Sequence, residues 1–173
     1  MIERLGAAWQ EFLVRYVHTG IQPAGGPASA VIWGEADVQL LVAHFLMSSP
    51  GGELTVHQQV AGFKNFGPIS LVVTDPAPWL ASERAPWARF TRASAVDLAV
   101  EIKVVNNRDH HAAVEKSARK LEAILKGRLA REVALCVLDK TIPPDRGFFE
   151  ALEDTRGVLM LVAFDEDLAA PPG

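Results

Sequence analysis

The chain has 173 residues, of which 49% are hydrophobic and 22% are charged, and its formal net charge is −4 at pH 7. This composition predicts one globular domain with a sizeable core and excludes an intrinsically disordered chain. No apolar run approaches the roughly 18 residues that a membrane-spanning helix needs. Glu3 and Glu11 lie in the first turns, so no secretory signal is expected. The single cysteine, Cys136, is expected to be a small buried hydrophobic residue. We expect a soluble, cytoplasmic protein with no membrane partner.

Two helices are predicted at the start of the chain. Apolar side chains recur at nearly the helical period over residues 2–17, at Ile2, Leu5, Trp9, Phe12, Leu13 and Tyr16. A Gly- and Pro-rich loop is expected at 19–29. The second helix is predicted over 33–49, with an apolar face made of Ala36, Leu40, Ala43 and Met47, widened by Leu41 and Phe45.

The rest of the chain predicts strands that later alternate with helices. Strands are expected at 53–63 (at the margin of the sheet), 69–75, 97–105, 132–140 and 158–164, and helices at 112–129 and 143–157. A connection with three prolines, 76–95, precedes the third strand, and a frayed tail is expected at 165–173. The order α, α, β, β, β, α, β, α, β predicts a single α/β domain with a mixed sheet and helices on both faces.

The third predicted strand, DLAVEIKVV, carries a glutamate and a lysine two positions apart. Because side chains alternate along a strand, its aliphatic residues point to the core, and Glu101 and Lys103 share the other face, roughly 6.6 Å apart. A carboxylate can hold a divalent cation, and a lysine beside it can orient a water or stabilise negative charge on a phosphate. The alternative explanation is a pair of surface charges on an exposed sheet face.

The elements around this strand resemble the PD-(D/E)xK, or restriction-endonuclease-like, nuclease superfamily. In that family an acidic helix precedes a β-hairpin whose first strand supplies an Asp and whose second supplies Glu-x-Lys. A helix and a further strand complete an αβββαβ core. The corresponding segments are GEADVQLLVAHFL with Glu35, the hairpin of ISLVVTD with DLAVEIKVV, and AAVEKSARKLEAILKGRL with EVALCVLDK. The resemblance covers residues 33–140, and it implies an extra N-terminal helix and loop (1–30), a nuclease-like core (33–164) and a tail (165–173).

The resemblance implies metal-dependent hydrolysis of phosphodiester bonds in DNA or RNA. Glu101, with Glu35 from the preceding helix, would bind Mg²⁺ or Mn²⁺. Lys103 would position the attacking water or stabilise charge in the transition state, and Ser70 would lie where the family has its metal-binding Asp. The alternative role of Glu35 is a favourable interaction with the dipole of its own helix.

The hairpin departs from the family at this Asp. An antiparallel register in which paired residue numbers sum to 171 or 173 places Ser70 opposite Glu101 or Lys103, whereas a sum of 172 turns it to the core, and the sequence does not choose between them. No register supplies a carboxylate, because Asp75 lies roughly 16 Å from Ser70 and Asp97 roughly 13 Å from Glu101 along their strands. The site is either a two-carboxylate variant or a nuclease fold that no longer cleaves.

Basic residues are concentrated in the middle of this acidic chain, which suggests a local anionic partner. Residues 76–95 interleave aromatic side chains (Trp79, Trp87, Phe90) with the candidate nucleic-acid contacts Arg84, Arg89 and Arg92. The helix at 112–129 adds the candidate phosphate contacts Lys116 and Lys120. The alternatives are that the aromatic residues cover the core or form a homodimer contact, and that the lysines serve solubility.

The histidines give weaker signals. His110 and His111 point in different directions at a helix start, and no further Cys or His spacing supports a zinc site. His57, with Gln58 and Gln59, borders the site if the first strand lies beside the hairpin. The sequence therefore leaves two functions open: a metal-dependent nuclease, or an inactive nuclease fold that serves as a binding or assembly module.

Overall fold

A computed structural model of the chain describes residues 1–18, 34–61, 63, 66–75, 96–153 and 157–168. The helices are α1 (Ile2–His18), α2 (Glu35–Ser48), a short 3-10 helix (Arg108–His110), α3 (His111–Lys126), α4 (Arg146–Glu153) and α5 (Asp165–Leu168). The strands are β1 (Thr55–Val60), β2 (Ile69–Thr74), β3 (Leu98–Val105), β4 (Glu132–Asp139) and β5 (Leu159–Phe164). The predicted order of elements is confirmed, while the predicted loop at 19–29 and the connection at 76–95 lie outside the described residues.

The five strands form one mixed sheet in the order β1-β2-β3-β4-β5. β1, β2 and β3 are antiparallel neighbours, whereas β3, β4 and β5 run parallel, with α3 and α4 as the helical crossovers that parallel neighbours require. β3 and β4 lie at the centre and are buried on both faces, which explains their nearly continuous apolar sequences. The protein is therefore an α/β fold with a five-stranded mixed sheet.

Helices cover both faces of this sheet, as predicted. On one face, Leu98, Val100 and Ile102 pack with side chains of α1 and α2, including Trp9 and Phe12. The other face packs against α3 and α4 in a second buried cluster. Among the described residues, no helix has the length and apolar character needed to cross a bilayer.

The buried face of α2 differs from the predicted one. The structure buries Val38, Val42 and Leu46, whereas Leu40 and Met47 are 60% and 53% exposed. Apolar residues lie on every side of this helix, so the helical period is compatible with more than one face. The predicted face was therefore wrong at Ala36, Leu40, Leu41 and Met47, whereas Ala43 is buried as predicted and the helix itself is confirmed.

The end of the chain differs from expectation as well. Residues 165–168, predicted as part of a frayed tail, form the short helix α5 directly after β5. Leu168 packs against the core, and the carboxylate of Asp167 lies 2.6 Å from the Arg146 guanidinium. These contacts hold the segment on the domain.

Arg4 joins α1 to the turn that follows α2. Its guanidinium donates to Ser49 Oγ and to the carbonyl oxygens of Ser49, Gly51 and Gly52 at 2.9–3.0 Å. Gly51 and Gly52 have φ angles of 113° and 96°, which side chains with a Cβ rarely adopt. The Pro-Gly-Gly sequence thus ends α2 and turns its carbonyl groups toward Arg4.

Candidate active site

The polar face of β3 lies under α3. Ala99 and Val105 pack into the cluster that α3 covers, and Glu101 on the same face is buried, with 4% of its surface exposed. The side chain of Lys103 is 18% exposed. An exposed sheet surface therefore does not explain the Glu-x-Lys pair, because a helix covers this face.

The hairpin register brings Ser70 to Glu101. Leu71 pairs with Val100, so paired numbers sum to 171, which is one of the two registers that place Ser70 on this face. Ser70 Oγ donates to Glu101 Oε2 at 3.3 Å and accepts a hydrogen bond from the backbone N–H of Ile102 at 3.1 Å. The serine hydroxyl is thus held on two sides inside the sheet.

Lys120 of α3 compensates the charge of Glu101. Its Nζ lies 2.6 Å from Glu101 Oε1 and also donates to the carbonyl oxygen of Pro68, just before β2. Only 17% of the Lys120 side chain and 5% of the Glu101 side chain are exposed. A buried carboxylate is unfavourable unless it is paired and hydrogen-bonded. Lys120 and Ser70 together meet this requirement.

Lys103 connects the two layers of the domain. Its Nζ lies 3.1 and 2.9 Å from the two carboxylate oxygens of Glu35, in the first turn of α2 on the other face of the sheet. β3 continues to Val105, but the register sets Lys103 opposite Pro68, which lies outside β2 and has no N–H to donate to the ladder. Within the described residues, no strand pairs with β3 at Lys103 on the β2 side, and the lysine reaches α2 there.

A cavity of about 310 Å³ lies beside Lys103. It is bounded by the start of α2, the end of β3 and the start of α3. The polar residues at its wall are Glu35, Lys103, Asn106 and His110. Lys103 therefore presents a cation to a space large enough for a phosphate group and its neighbours.

Gln39 is a buried polar residue near this site that sequence reasoning missed. It is 3% exposed, lies one helical turn after Glu35 and accepts a hydrogen bond from Gln59 Nε2 at 2.9 Å. Gln58 and Val60 pair with β2 on either side of Ser70, so Gln59, with a φ angle of 50°, is the β1 residue across from Ser70. The spacing of four between Glu35 and Gln39 was the signal that could have identified it.

The remaining candidate residues lie elsewhere. Asp75 and Asp97 are at the opposite end of the hairpin, where Asp97 Oδ2 accepts from the Asp75 N–H at 2.8 Å, so neither replaces the missing carboxylate. Lys116 is on the exposed surface of α3. The candidate nucleic-acid contacts Arg84, Arg89 and Arg92 lie outside the described residues.

The oxygen atoms near Glu101 are of the type that a hard divalent cation binds. Lys120 Nζ contacts the Glu101 carboxylate and the Pro68 carbonyl oxygen, and the Ser70 hydroxyl contacts the other carboxylate oxygen of Glu101. Within the described ranges, no three His, Cys, Asp or Glu side chains come close enough together to hold a metal ion. Mg²⁺ is commonly held by one or two carboxylates, with waters and substrate phosphates as further ligands. These donors are of the kind that Mg²⁺ and Mn²⁺ take, and the binding of either ion here stays a prediction.

The chain matches no protein-family model, no curated protein and no solved structure.

Proposed function

We propose that this protein is a nuclease-like enzyme with a restriction-endonuclease-like core that hydrolyses phosphodiester bonds with the help of Mg²⁺ or Mn²⁺. One observation carries the proposal. Glu35, Ser70, Glu101 and Lys103 come from three separate elements and form two side-chain contacts, Ser70 with Glu101 and Lys103 with Glu35. The two β3 residues in these contacts are roughly 6.6 Å apart along the strand.

The arrangement of elements supports the proposed core. α2, β1, β2, β3, α3 and β4 follow one another along the chain, and β3 lies between its antiparallel hairpin partner β2 and its parallel neighbour β4. This is the αβββαβ order that places an acidic helix and a Glu-x-Lys strand next to each other. α1 is then an addition that covers the core.

Lys103 is the residue proposed to act on the substrate. In the cavity beside β3, its ammonium would contact a non-bridging phosphate oxygen and stabilise the negative charge that develops there. A water held by Lys103 would form the new bond to phosphorus while the bridging P–O bond breaks. The water would release its proton to solvent, and the leaving oxygen would take a proton from solvent. Glu35 holds Lys103 in the free protein, so this carboxylate exchanges the lysine for other partners when substrate enters.

Glu101 and Glu35 would hold the divalent cation, with Ser70 next to Glu101. When bound, the cation would add positive charge at the scissile phosphate and lower the pKa of a bound water. Lys116 and the arginines at 84, 89 and 92 are the proposed contacts to the nucleic-acid backbone, where lysine and arginine commonly bind.

Cleavage assays with a matched lysine control test this function. Wild-type protein is expected to cleave DNA or RNA in the presence of Mg²⁺ or Mn²⁺, and Lys103→Met is expected to lower the rate at least ~100-fold, because charge stabilisation at the phosphate is lost. Lys126→Met is the control, because Lys126 is an exposed lysine paired with Glu122 on the surface of α3. It should cleave at the wild-type rate. Equal rates for wild type and Lys103→Met would contradict the proposal.

A non-catalytic binding or assembly module is the second candidate. Two observations favour it: a serine stands where a metal-binding carboxylate is expected, and Lys120 already neutralises Glu101. Exposed apolar side chains of α1 and α2, at Val14, Leu40, Leu41 and Met47, offer a surface for a homodimer or another partner. The same assay separates the two functions, because this candidate requires that wild-type protein does not cleave with either metal.

A further inference from the structure

We propose that the ammonium group of Lys120 is a tethered counter-ion that occupies the cation position of Glu101 and competes there with a divalent cation. The inference rests on the proposed function only for the identity of the competing ligand. The geometry that carries it is the contact of one ammonium with the Glu101 carboxylate and the Pro68 carbonyl oxygen, while the Ser70 hydroxyl contacts the other carboxylate oxygen.

The ligand atoms explain why the two cations exclude each other. Hard divalent cations are bound by carboxylate, carbonyl and hydroxyl or water oxygens at short distances. In this protein, a carboxylate oxygen and a carbonyl oxygen lie at the Lys120 ammonium, 52 residues along the chain from Pro68 and 19 from Glu101. The Ser70 hydroxyl contacts the second oxygen of the same carboxylate. A Mn²⁺ ion at Glu101 Oε1 would lie within contact distance of Nζ, where like charges repel, so Lys120 must withdraw before the ion binds.

Lys120 can act as a counter-ion because its partner Glu101 is buried. Lys126, on the same helix, has a more exposed partner. Lys126 makes an exposed pair with Glu122, 69% and 26% exposed, which solvent screens. The Glu101 side chain is 5% exposed, and removal of its partner leaves a buried charge without compensation. A variant without the Lys120 charge therefore has an increased affinity for any cation that can reach Glu101.

Mn²⁺ binding, measured by titration with electron paramagnetic resonance detection of free Mn²⁺, tests the inference. Lys120→Met is expected to bind one Mn²⁺ at least ~10-fold more tightly than wild type, since the competing ammonium is gone. Lys120→Met/Glu101→Gln is expected to lose this gain, and Lys126→Met, the matched control, to bind as wild type does. Lys120→Arg keeps the positive charge and should show no gain.

Equal Mn²⁺ affinity of wild type and Lys120→Met, or a gain that persists in the double variant, would overturn the inference. If Lys120→Met is unfolded without metal, Mn²⁺ must restore its circular dichroism spectrum, and failure to do so also overturns it. The readout is independent of cleavage. If wild type cleaves nucleic acid but Lys120→Met shows no increase in Mn²⁺ affinity, the nuclease function stands and the inference about Lys120 is wrong. If Lys120→Met binds Mn²⁺ more tightly but wild type does not cleave, the inference stands and the nuclease function is wrong.

Discussion

The hydroxyl of Ser70 makes two hydrogen bonds that a carboxylate in its place would change. It accepts from the Ile102 N–H and donates to Glu101, so it connects the β2–β3 ladder to the buried acid. The sequence predicted correctly that Glu101 and Lys103 share a face of β3, because alternation along a strand is fixed by backbone geometry. It could not predict that Ser70 lies opposite Glu101, because a slip of one residue leaves the hairpin equally apolar.

Ser70→Asp provides a prediction at this scale. A second carboxylate beside Glu101 is expected to lower the free energy of unfolding by at least ~2 kcal/mol relative to Ser70→Asn, since it adds an uncompensated buried charge. Mn²⁺ is expected to restore stability in Ser70→Asp and not in Ser70→Asn, which has nearly the same shape without the charge. Chemical denaturation with and without Mn²⁺ measures both effects. A destabilisation shared equally by the two variants would show that side-chain size, and not charge, is responsible.

The ion pairs of the site could not be predicted from the sequence, because they depend on how separate elements pack together. Lys120 was expected to contact phosphate from the surface of α3, yet its Nζ points at Glu101 and it is not part of the exposed basic surface. Lys116 and Lys120 are one turn apart, and the sequence does not show which of them α3 turns toward the sheet edge. That depends on how the helix docks on β3, which is a tertiary property.

At the scale of elements, α2 and α3 show when a helical pattern identifies the buried face. α3 carries charged residues on all but one side. Its apolar residues recur at the helical period, which predicts a stripe of Val114, Ala118, Leu121, Ile124 and Leu125. The first four are buried, and Leu125 packs against the same cluster. α2 has apolar residues all round, and its buried face is set by contacts with α1 and the sheet. Periodicity identifies the buried face when polar residues leave only one option.

Two neighbouring residues of α2 test this assignment. Leu46→Ala is expected to reduce the free energy of unfolding by about 2–5 kcal/mol, because it opens a cavity at a fully buried position. Met47→Ala is expected to change it by only about 0.5 kcal/mol, because Met47 is largely exposed. Urea denaturation gives both values. A larger loss of stability in Met47→Ala than in Leu46→Ala would instead support the buried face that the sequence predicted.

At the scale of the whole molecule, the order of elements was predictable, and the architecture only in part. Apolar runs, helical periods and Gly or Pro breaks gave each element in turn, and the mixed sheet with helices on both faces followed from their order. The order of strands in the sheet and the antiparallel and parallel pairings depend on contacts between distant segments. The restriction-endonuclease-like core stays a proposal, supported by the observed order of elements and by the residues of the site.

Cys136 links ionisation to unfolding of the whole domain. It is completely buried in β4, and burial raises the pKa of its thiol well above the ordinary value. Above about pH 8.5 an exposed thiol ionises in the unfolded chain, while the native thiol stays protonated, so the native state binds more protons and stability falls as pH rises. Relative to Cys136→Ala, the wild-type free energy of unfolding is expected to decline by up to about 1.4 kcal/mol per pH unit in this range.

Denaturation curves of both proteins at several values between about pH 8 and pH 10 measure this difference in slope. Tyrosine and lysine groups also titrate in this range, but both proteins contain them. The difference between the two pH profiles therefore reports Cys136 alone. Parallel pH profiles for the two proteins would contradict the assignment.

The two ion pairs of the site also differ in when the folding chain can form them. Glu101 and Lys120 are 19 residues apart and belong to consecutive elements, β3 and α3, whereas Glu35 and Lys103 are 68 residues apart and on opposite faces of the sheet. Longer loops close at a greater entropic penalty, so we expect the β3–α3 contact to form before the contact to α2. The cavity beside Lys103 is bounded by α2, β3 and the start of α3, so we expect it to be complete only once α2 has docked.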